Sequence, residues 1–178
     1  TPLLPSRAII AVTVIPTVAA AIAFAAVVLA FPIDRAIAPP FTVGSLDPVV
    51  VGLGLWVLAG LATSSRSVAA EGRVTILYGV GPVVGAWALG GPAAGAWVAL
   101  LGTFELRELR GGIPWYGVVA NHAGQVLPAA IGGVLTLLLR EVSGASPGDV
   151  ADLVAVIAGA FVFWLLSLAL SIATVWAR

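Results

Sequence analysis

The feature that most constrains this chain is a series of long apolar segments without charge. The first runs from Ala8 to Phe31 and contains 24 residues, whereas about 20 apolar helical residues cross a bilayer core about 30 Å thick. Only 9% of the 178 residues are charged and 61% are apolar, against about 25% and about half in soluble domains. The sequence therefore predicts an integral membrane protein and excludes a soluble globular domain.

Six segments are predicted to be membrane helices, so the predicted fold class is an all-α bundle of six transmembrane helices. They are Ala8 to Phe31, Pro48 to Thr63, Val74 to Gly90, Gly91 to Phe104, Ile113 to Leu139 and Val150 to Ala177. Asp47 is placed to cap the second helix. Five spans are the alternative, if residues 74–104 form a re-entrant pair or one bent helix.

The arginines favour an even number of spans, because cytoplasmic flanks attract Lys and Arg. With six spans, one side of the membrane receives Arg7, Arg66, Arg73, Arg107, Arg110 and Arg178. Only Arg35 and Arg140 fall on the other side. We therefore expect both termini in the cytoplasm of a bacterial cell, with the domain in the inner membrane and the loop from Pro32 to Leu46 facing outward as a lid.

We expect residues 1–178 to form one membrane domain of a longer polypeptide. The chain begins at Thr1 without Met and stops at Arg178 directly after an apolar run.

A seven-residue block, GPxxGAW, occurs at residues 81–87 and again at 91–97. Glycines at a spacing of four allow helix backbones to approach closely in lipid, and each proline frees a carbonyl that needs another donor. The block predicts a short, tight helical hairpin for spans three and four. A second interpretation is a broken pair of spans that lines a binding site. The wall of that site would consist of Gly81, Pro82, Gly85, Gly91, Pro92 and Gly95.

The fifth predicted helix carries the densest polar set. Asn121, His122 and Gln125 are spaced so that they share one helix face, and Pro128 is expected to disrupt the hydrogen bond to the carbonyl of Gly124. Such residues serve either as hydrogen bonds between helices or as a polar ligand pocket. The predicted ligand contacts are these three residues together with two aromatic residues of the membrane interface, Trp115 and Tyr116.

A charged turn precedes that helix and contains Glu105, Arg107, Glu108 and Arg110. The alternating signs fit a short interfacial helix that ends at Gly111. This turn is either a solvated loop with local ion pairs or a coupling element that contacts a cytoplasmic domain or partner.

Several function classes are not expected. The chain has no Cys and eight Arg against eight acidic residues, with no Lys, so thiol chemistry and nucleic-acid binding are not predicted. No phosphate-binding loop, metal motif or catalytic set is recognised. We predict a protein that is not an enzyme and that uses no metal and no cofactor.

The stretch from Glu71 to Gln125 resembles the N-terminal membrane regions of bacterial signalling proteins that carry GGDEF or HD-GYP cyclic-di-GMP domains downstream. The resemblance rests on the Gly-Pro hairpin, the Arg-containing turn and the later helix with Trp115, Asn121 and Ala123. It implies a sensory domain that binds a small or lipophilic ligand and signals through its last helix to a cytoplasmic effector. The lipid bilayer and a second copy in a homodimer are the other predicted partners.

The hairpin, the six spans and the cytoplasmic termini also resemble the substrate-binding S components of energy-coupling-factor vitamin transporters. That resemblance implies a ligand pocket beneath the loop from Pro32 to Leu46 and a transmembrane coupling subunit as the partner. The small-residue pairs Ala19 with Ala23 and Ala21 with Ala25 would then face that subunit. The two resemblances agree on the fold and differ in the output.

Overall fold

The computed structural model describes residues 7–64, 68–70, 74–76, 80–105, 108, 110–112 and 114–176. Five helical elements dominate it: α1 (Arg7–Ala30), α2 (Pro48–Ser64), α3 (Val80–Leu101), α4 (Trp115–Ser143) and α5 (Val150–Trp176). A short 3-10 helix occupies Arg35–Ile37. Two strands, β1 (Val68–Ala70) and β2 (Val74–Ile76), pair antiparallel.

Four of these helical elements are long and apolar enough to cross a membrane, judged by length and composition alone and with α3 counted as one element. They are Ala11–Ala30, Val80–Leu101, Trp115–Ser143 and Val150–Thr174. Helix α2 is apolar but has only 17 residues. The all-α membrane architecture is therefore confirmed, whereas six complete spans are not.

The predicted third span is wrong at its beginning. Residues Val74–Ile76 form β2, and the helix begins at Val80. Val and Thr, which are branched at Cβ, favour a strand over a helix. The predicted start of α2 is confirmed, because the carboxylate of Asp47 accepts a hydrogen bond from the N–H of Val49 at 2.7 Å.

Helix α3 reverses direction at Gly91 and forms two antiparallel arms, residues 80–90 and 92–101. Gly91 has φ +79° and ψ 179°, a backbone conformation that only glycine adopts readily. A Cβ added at Gly95 would lie 2.8 Å from the Cβ of Trp87 and 3.5 Å from the carbonyl oxygen of Val83. Twelve residues of straight helix would separate positions 83 and 95 by about 18 Å. The predicted tight helical hairpin is thus present.

The carbonyls at the tip of this hairpin receive donors from outside it. The first arm ends at Gly90, so the carbonyls of its last turn have no helical donor. The guanidinium Nη2 of Arg140 donates to the carbonyl of Ala88 at 3.0 Å. The N–H of Asp34 donates to the carbonyl of Gly90 at 3.1 Å. The loop after α1 and the end of α4 therefore hold the tip of the hairpin.

The bundle has two distinct ends, which we name the Arg140 end and the Trp115 end. At the Arg140 end, Arg140 Nε lies 2.6 Å from Asp152 Oδ1, and the N–H of Gly148 donates to Asp152 Oδ2 at 2.7 Å. The N–H groups of Asp152 and Ser146 donate to the carboxylate of Asp149 and hold the pKa of Asp149 below its ordinary value. This network fixes the turn between α4 and α5.

Glycines bring the helices close together at two further crossings. A Cβ added at Gly60 of α2 would lie 2.8 Å from the carbonyl oxygen of Gly102. A Cβ added at Gly132 of α4 would lie 2.7 Å from the carbonyl oxygen of Gly159 of α5. Side chains larger than hydrogen would push these backbones apart.

Helix α4 continues through Pro128 as one element. The missing N–H of Pro128 leaves the carbonyl of Gly124 without its helical donor. The hydroxyl of Ser167 in α5 donates to that carbonyl at 3.3 Å. The predicted disruption at Gly124 is confirmed, and α5 compensates for it.

The Gly91→Ala substitution is expected to lower the free energy of unfolding by about 1–3 kcal/mol, because alanine adopts this backbone conformation only with strain. Unfolding in mixed micelles with increasing dodecyl sulfate measures the change. Gly81→Ala is the matched control, since no atom lies within 4 Å of a Cβ added there, and it should cause no loss. An equal loss in both variants would contradict the reversal at Gly91.

Candidate functional site

A polar cluster lies at the Trp115 end, where the described residues between α3 and α4 (102–105, 108, 110–112 and 114), which we name the connecting segment, contact α4. The side chain of Glu108 is only 2% exposed, and its Oε2 lies 3.2 Å from Nε2 of His122, whose side chain is 11% exposed. Asn121 Nδ2 donates to Glu108 Oε1 at 3.2 Å. The N–H of Glu105 donates to Glu108 Oε2 at 3.2 Å. One buried carboxylate therefore joins the connecting segment to α4.

The other ring nitrogen of His122 faces a hydroxyl group. Oγ1 of Thr103 lies 3.4 Å from Nδ1 of His122, and the same hydroxyl donates to the carbonyl of Ala99 at 2.6 Å. The ring of Phe104 packs on the imidazole with centroids 4.2 Å apart. Both nitrogens and one face of the imidazole are thus held by the end of the hairpin and the connecting segment.

An apolar cavity of about 380 Å³ lies beside this cluster, between α1, the second arm of the hairpin and α4. Its wall is formed by Thr17, Ala20, Ala21, Phe24, Leu100, Phe104, Val118, Val119, His122, Ala123 and Val126. Among the described residues of this wall, Thr17 and His122 are the only ones with polar side chains, and the hydroxyl of Thr17 already donates to the carbonyl of Thr13. The cavity therefore suits a small ligand that is almost wholly apolar.

Two of the three residues on the predicted polar face of α4 belong to the cluster around Glu108. Asn121 and His122 both contact Glu108, although Asn121 is exposed and His122 is buried. Gln125 is half-buried, and no described hydrogen bond joins it to the cluster or to the cavity wall. Trp115 is 76% exposed and packs edge-on against Tyr116. Neither aromatic residue lines the cavity, so both fit the membrane interface better than a ligand site.

Glu108 in the charged turn is helical, in line with the predicted short interfacial helix, and Gly111 has φ +69°, the left-handed conformation expected where such a helix ends. The N–H of Glu108 donates to the carbonyl of Glu105, and the N–H of Gly111 donates to that of Glu108. Glu105 is buried and Arg110 is exposed. Arg107 lies outside the described residues. Because Glu108 points inward, it belongs to the cluster with His122 rather than to a solvated face.

The residues of the predicted hairpin wall have separate roles. Gly85 contacts the ring of Trp56 in α2, and Gly95 contacts Trp87 in the first arm. Gly91 allows the reversal, and Pro92, which is buried, begins the second arm, a position that proline favours. Pro82 is buried in the first arm, whereas Gly81 is exposed. None of these residues lines the cavity beside His122.

A second cavity, of about 390 Å³, lies at the Arg140 end under the loop between α1 and α2. It is lined by Ala36, Ile37, Ala38, Pro39, Gly52, Leu55, Trp56, Ala59 and Leu89. The 3-10 helix and α2 form most of its wall, and none of the described lining residues has a titratable side chain.

The pairing of Glu108 with His122 and the contact with Thr103 were not predicted. The available signal was the combination of one histidine in the chain with nearby acidic residues before a Gly-Gly-x-Pro turn. That turn returns the chain toward α4. Among the described residues, no group of three His, Cys, Asp or Glu side chains is close enough to hold a metal ion.

The His122→Ala substitution is expected to lower the free energy of unfolding by about 3 kcal/mol, because removing one partner of a buried pair leaves the other unpaired. Gln125 lies outside the cluster although it shares the predicted helix face. The Gln125→Ala substitution should therefore lower the free energy of unfolding by less than about 1 kcal/mol. The same dodecyl sulfate unfolding assay compares the two. Equal losses of unfolding free energy in the two variants would contradict a stabilising role of the cluster.

Comparison of the chain with protein-family models, curated proteins and solved structures finds no match. The cluster and the two cavities therefore carry the functional interpretation by themselves.

Proposed function

We propose that the chain is a membrane-embedded input domain. It binds a small apolar ligand and passes the resulting conformational change to a cytoplasmic effector domain or coupling subunit. The observation that carries this proposal is the cavity of about 380 Å³ beside His122. Its wall includes His122, which is also paired with Glu108 of the connecting segment.

The coupling follows from this shared residue. A ligand in the cavity would contact His122 of α4 and Phe104 of the connecting segment, since both line the wall. A ligand shifts an equilibrium only when it binds two arrangements with different affinities. Here the two arrangements would be the segment held against α4 and the segment released from it.

The proposed membrane orientation places both termini and the Trp115 end on the cytoplasmic side of a bacterial inner membrane. Helix α2 and the two arms of α3 would complete a six-segment bundle in which the hairpin enters and leaves on that side. The arginine distribution supports this orientation. A homodimer remains part of the proposal for signalling, since small-residue faces on α1 are available to a second copy.

The Ala21→Trp substitution should fill the cavity from the α1 side and displace its ligand. Native mass spectrometry of protein released from lipid nanodiscs is expected to show wild-type protein with a bound small molecule and the Ala21→Trp variant without it. Ala26→Trp is the matched control, because Ala26 is an exposed residue of the same helix outside the cavity wall. It should keep the bound mass.

Wild-type protein without any bound small molecule, or equal occupancy in all three proteins, would contradict ligand binding in this cavity.

The second candidate function is a substrate-binding subunit of a transporter. The cavity under the loop between α1 and α2 favours it, because that position is where the S components of energy-coupling-factor transporters are expected to hold their ligand. Ala59→Trp should fill this second cavity. A bound mass that Ala59→Trp removes and Ala21→Trp retains would support the transport function over the sensory one.

A further inference from the structure

We propose that Glu108 and His122 form a proton-binding site, and that one shared proton between them holds the connecting segment against α4. This inference goes beyond ligand binding, because it concerns the cluster itself and holds whether or not the cavity is occupied. It rests on the positions of four polar groups: the Thr103 hydroxyl, the His122 imidazole, the Glu108 carboxyl and the Ala99 carbonyl.

The Thr103 hydroxyl determines which ring nitrogen of His122 carries a proton. A hydroxyl group donates one hydrogen bond, and the Thr103 hydroxyl donates to the carbonyl of Ala99 at 2.6 Å. Its oxygen can therefore only accept from Nδ1 of His122, 3.4 Å away. The Nδ1 atom must then carry a proton. This leaves Nε2 to face Glu108 Oε2 at 3.2 Å.

One further proton lies between Nε2 of His122 and Oε2 of Glu108. With it, the pair is either an imidazolium facing a carboxylate or a neutral imidazole accepting from a carboxylic acid, and both forms are neutral overall. When this proton leaves, the Nε2 lone pair faces a carboxylate oxygen, and a net negative charge remains in an apolar bundle. Two acceptors in contact repel, and an uncompensated buried charge is costly.

The neutral tautomer with its proton on Nε2 restores the hydrogen bond to Glu108 only at the cost of another hydrogen bond. If the neutral imidazole carried its proton on Nε2, it could donate to Glu108. The Nδ1 lone pair would then need the Thr103 proton, and the carbonyl of Ala99 would lose its hydrogen bond from that hydroxyl. The Thr103 hydroxyl lies closer to the carbonyl of Ala99, at 2.6 Å, than to Nδ1, at 3.4 Å, so we expect the proton to stay on Nδ1 and loss of the shared proton to release Glu108.

Among the described residues, the surroundings bring few other charges to this pair. Helix α1 faces the site with Thr17 and Ala21, and α5 approaches α4 nearby with Ser167 at Gly124. Within the connecting segment, Thr103 contacts His122. Glu105 is buried and its N–H donates to Glu108, while Arg110 is exposed.

The test uses the fact that the chain contains one histidine, so protein labelled with ¹⁵N-histidine and purified without a histidine tag reports on His122 alone. Two-bond ¹H–¹⁵N spectra across neutral pH distinguish a protonated from an unprotonated ring nitrogen. In the neutral ring we expect the proton on Nδ1 and none on Nε2. Thr103→Val should move the proton to Nε2, and Thr103→Ser should behave as the wild type.

A wild-type neutral ring protonated on Nε2, or a Thr103→Val variant still protonated on Nδ1, would overturn the proposal.

A second measurement follows the connecting segment directly. A nitroxide attached at Arg110→Cys should become more mobile in the wild-type background as the pH rises and the shared proton is lost. Glu108→Gln should abolish this change, because the introduced amide can donate to Nε2 at any pH. Unchanged mobility across the titration in the wild-type background, or the same pH dependence with Glu108→Gln, would show that the proton does not hold the segment.

Discussion

Carbonyl groups that are released from helical hydrogen bonding must find other donors, and the architecture of this apolar bundle depends on that requirement. The first arm of α3 ends at Gly90 and leaves the carbonyl of Ala88 without a helical donor, and Pro128 removes the donor for the carbonyl of Gly124. Arg140 supplies the donor to Ala88, and Ser167 supplies it to Gly124. Each replacement comes from a different helix, so the interruption of one helix becomes a contact that orders two.

The two ends of the bundle carry different sets of polar groups. At the Arg140 end, Arg140 and Asp152 lie on helices that a short turn connects, and several backbone N–H groups complete the network. At the Trp115 end, Glu108 and His122 join a turn-rich segment to α4 through few contacts. The first end holds the tip of the hairpin, and the second is the end at which we propose that a ligand and a proton act. The apolar cavity lies beside the second end.

The helices and the hairpin could be predicted from the sequence because they follow from local patterns. Apolar length placed α1, α4 and α5, and the repeated GPxxGAW block predicted the reversal in α3. The same reasoning failed at Val74, where apolar composition suggested a helix and branched residues form a strand. Apolar runs of this kind do not distinguish the two by periodicity alone.

The site was harder to predict because it depends on contacts between segments. Helical spacing grouped Gln125 with Asn121 and His122, yet Glu108 is the residue that joins two of them. Its orientation is set by the turns around Gly111, and no periodic pattern encodes that direction. The role of Thr103 depends on where its hydroxyl proton goes, which only the distances to Ala99 and His122 reveal.

The reversal of α3 at Gly91 is the central claim, since both the tip contacts and the position of Thr103 beside His122 require it. The chain has no cysteine, so nitroxides at Gly81→Cys and Leu101→Cys report one distance on a clean background. Antiparallel arms place these positions about 10 Å apart, and strong dipolar broadening is the predicted result. A separation of about 30 Å, the length of twenty residues of continuous helix, would contradict the account.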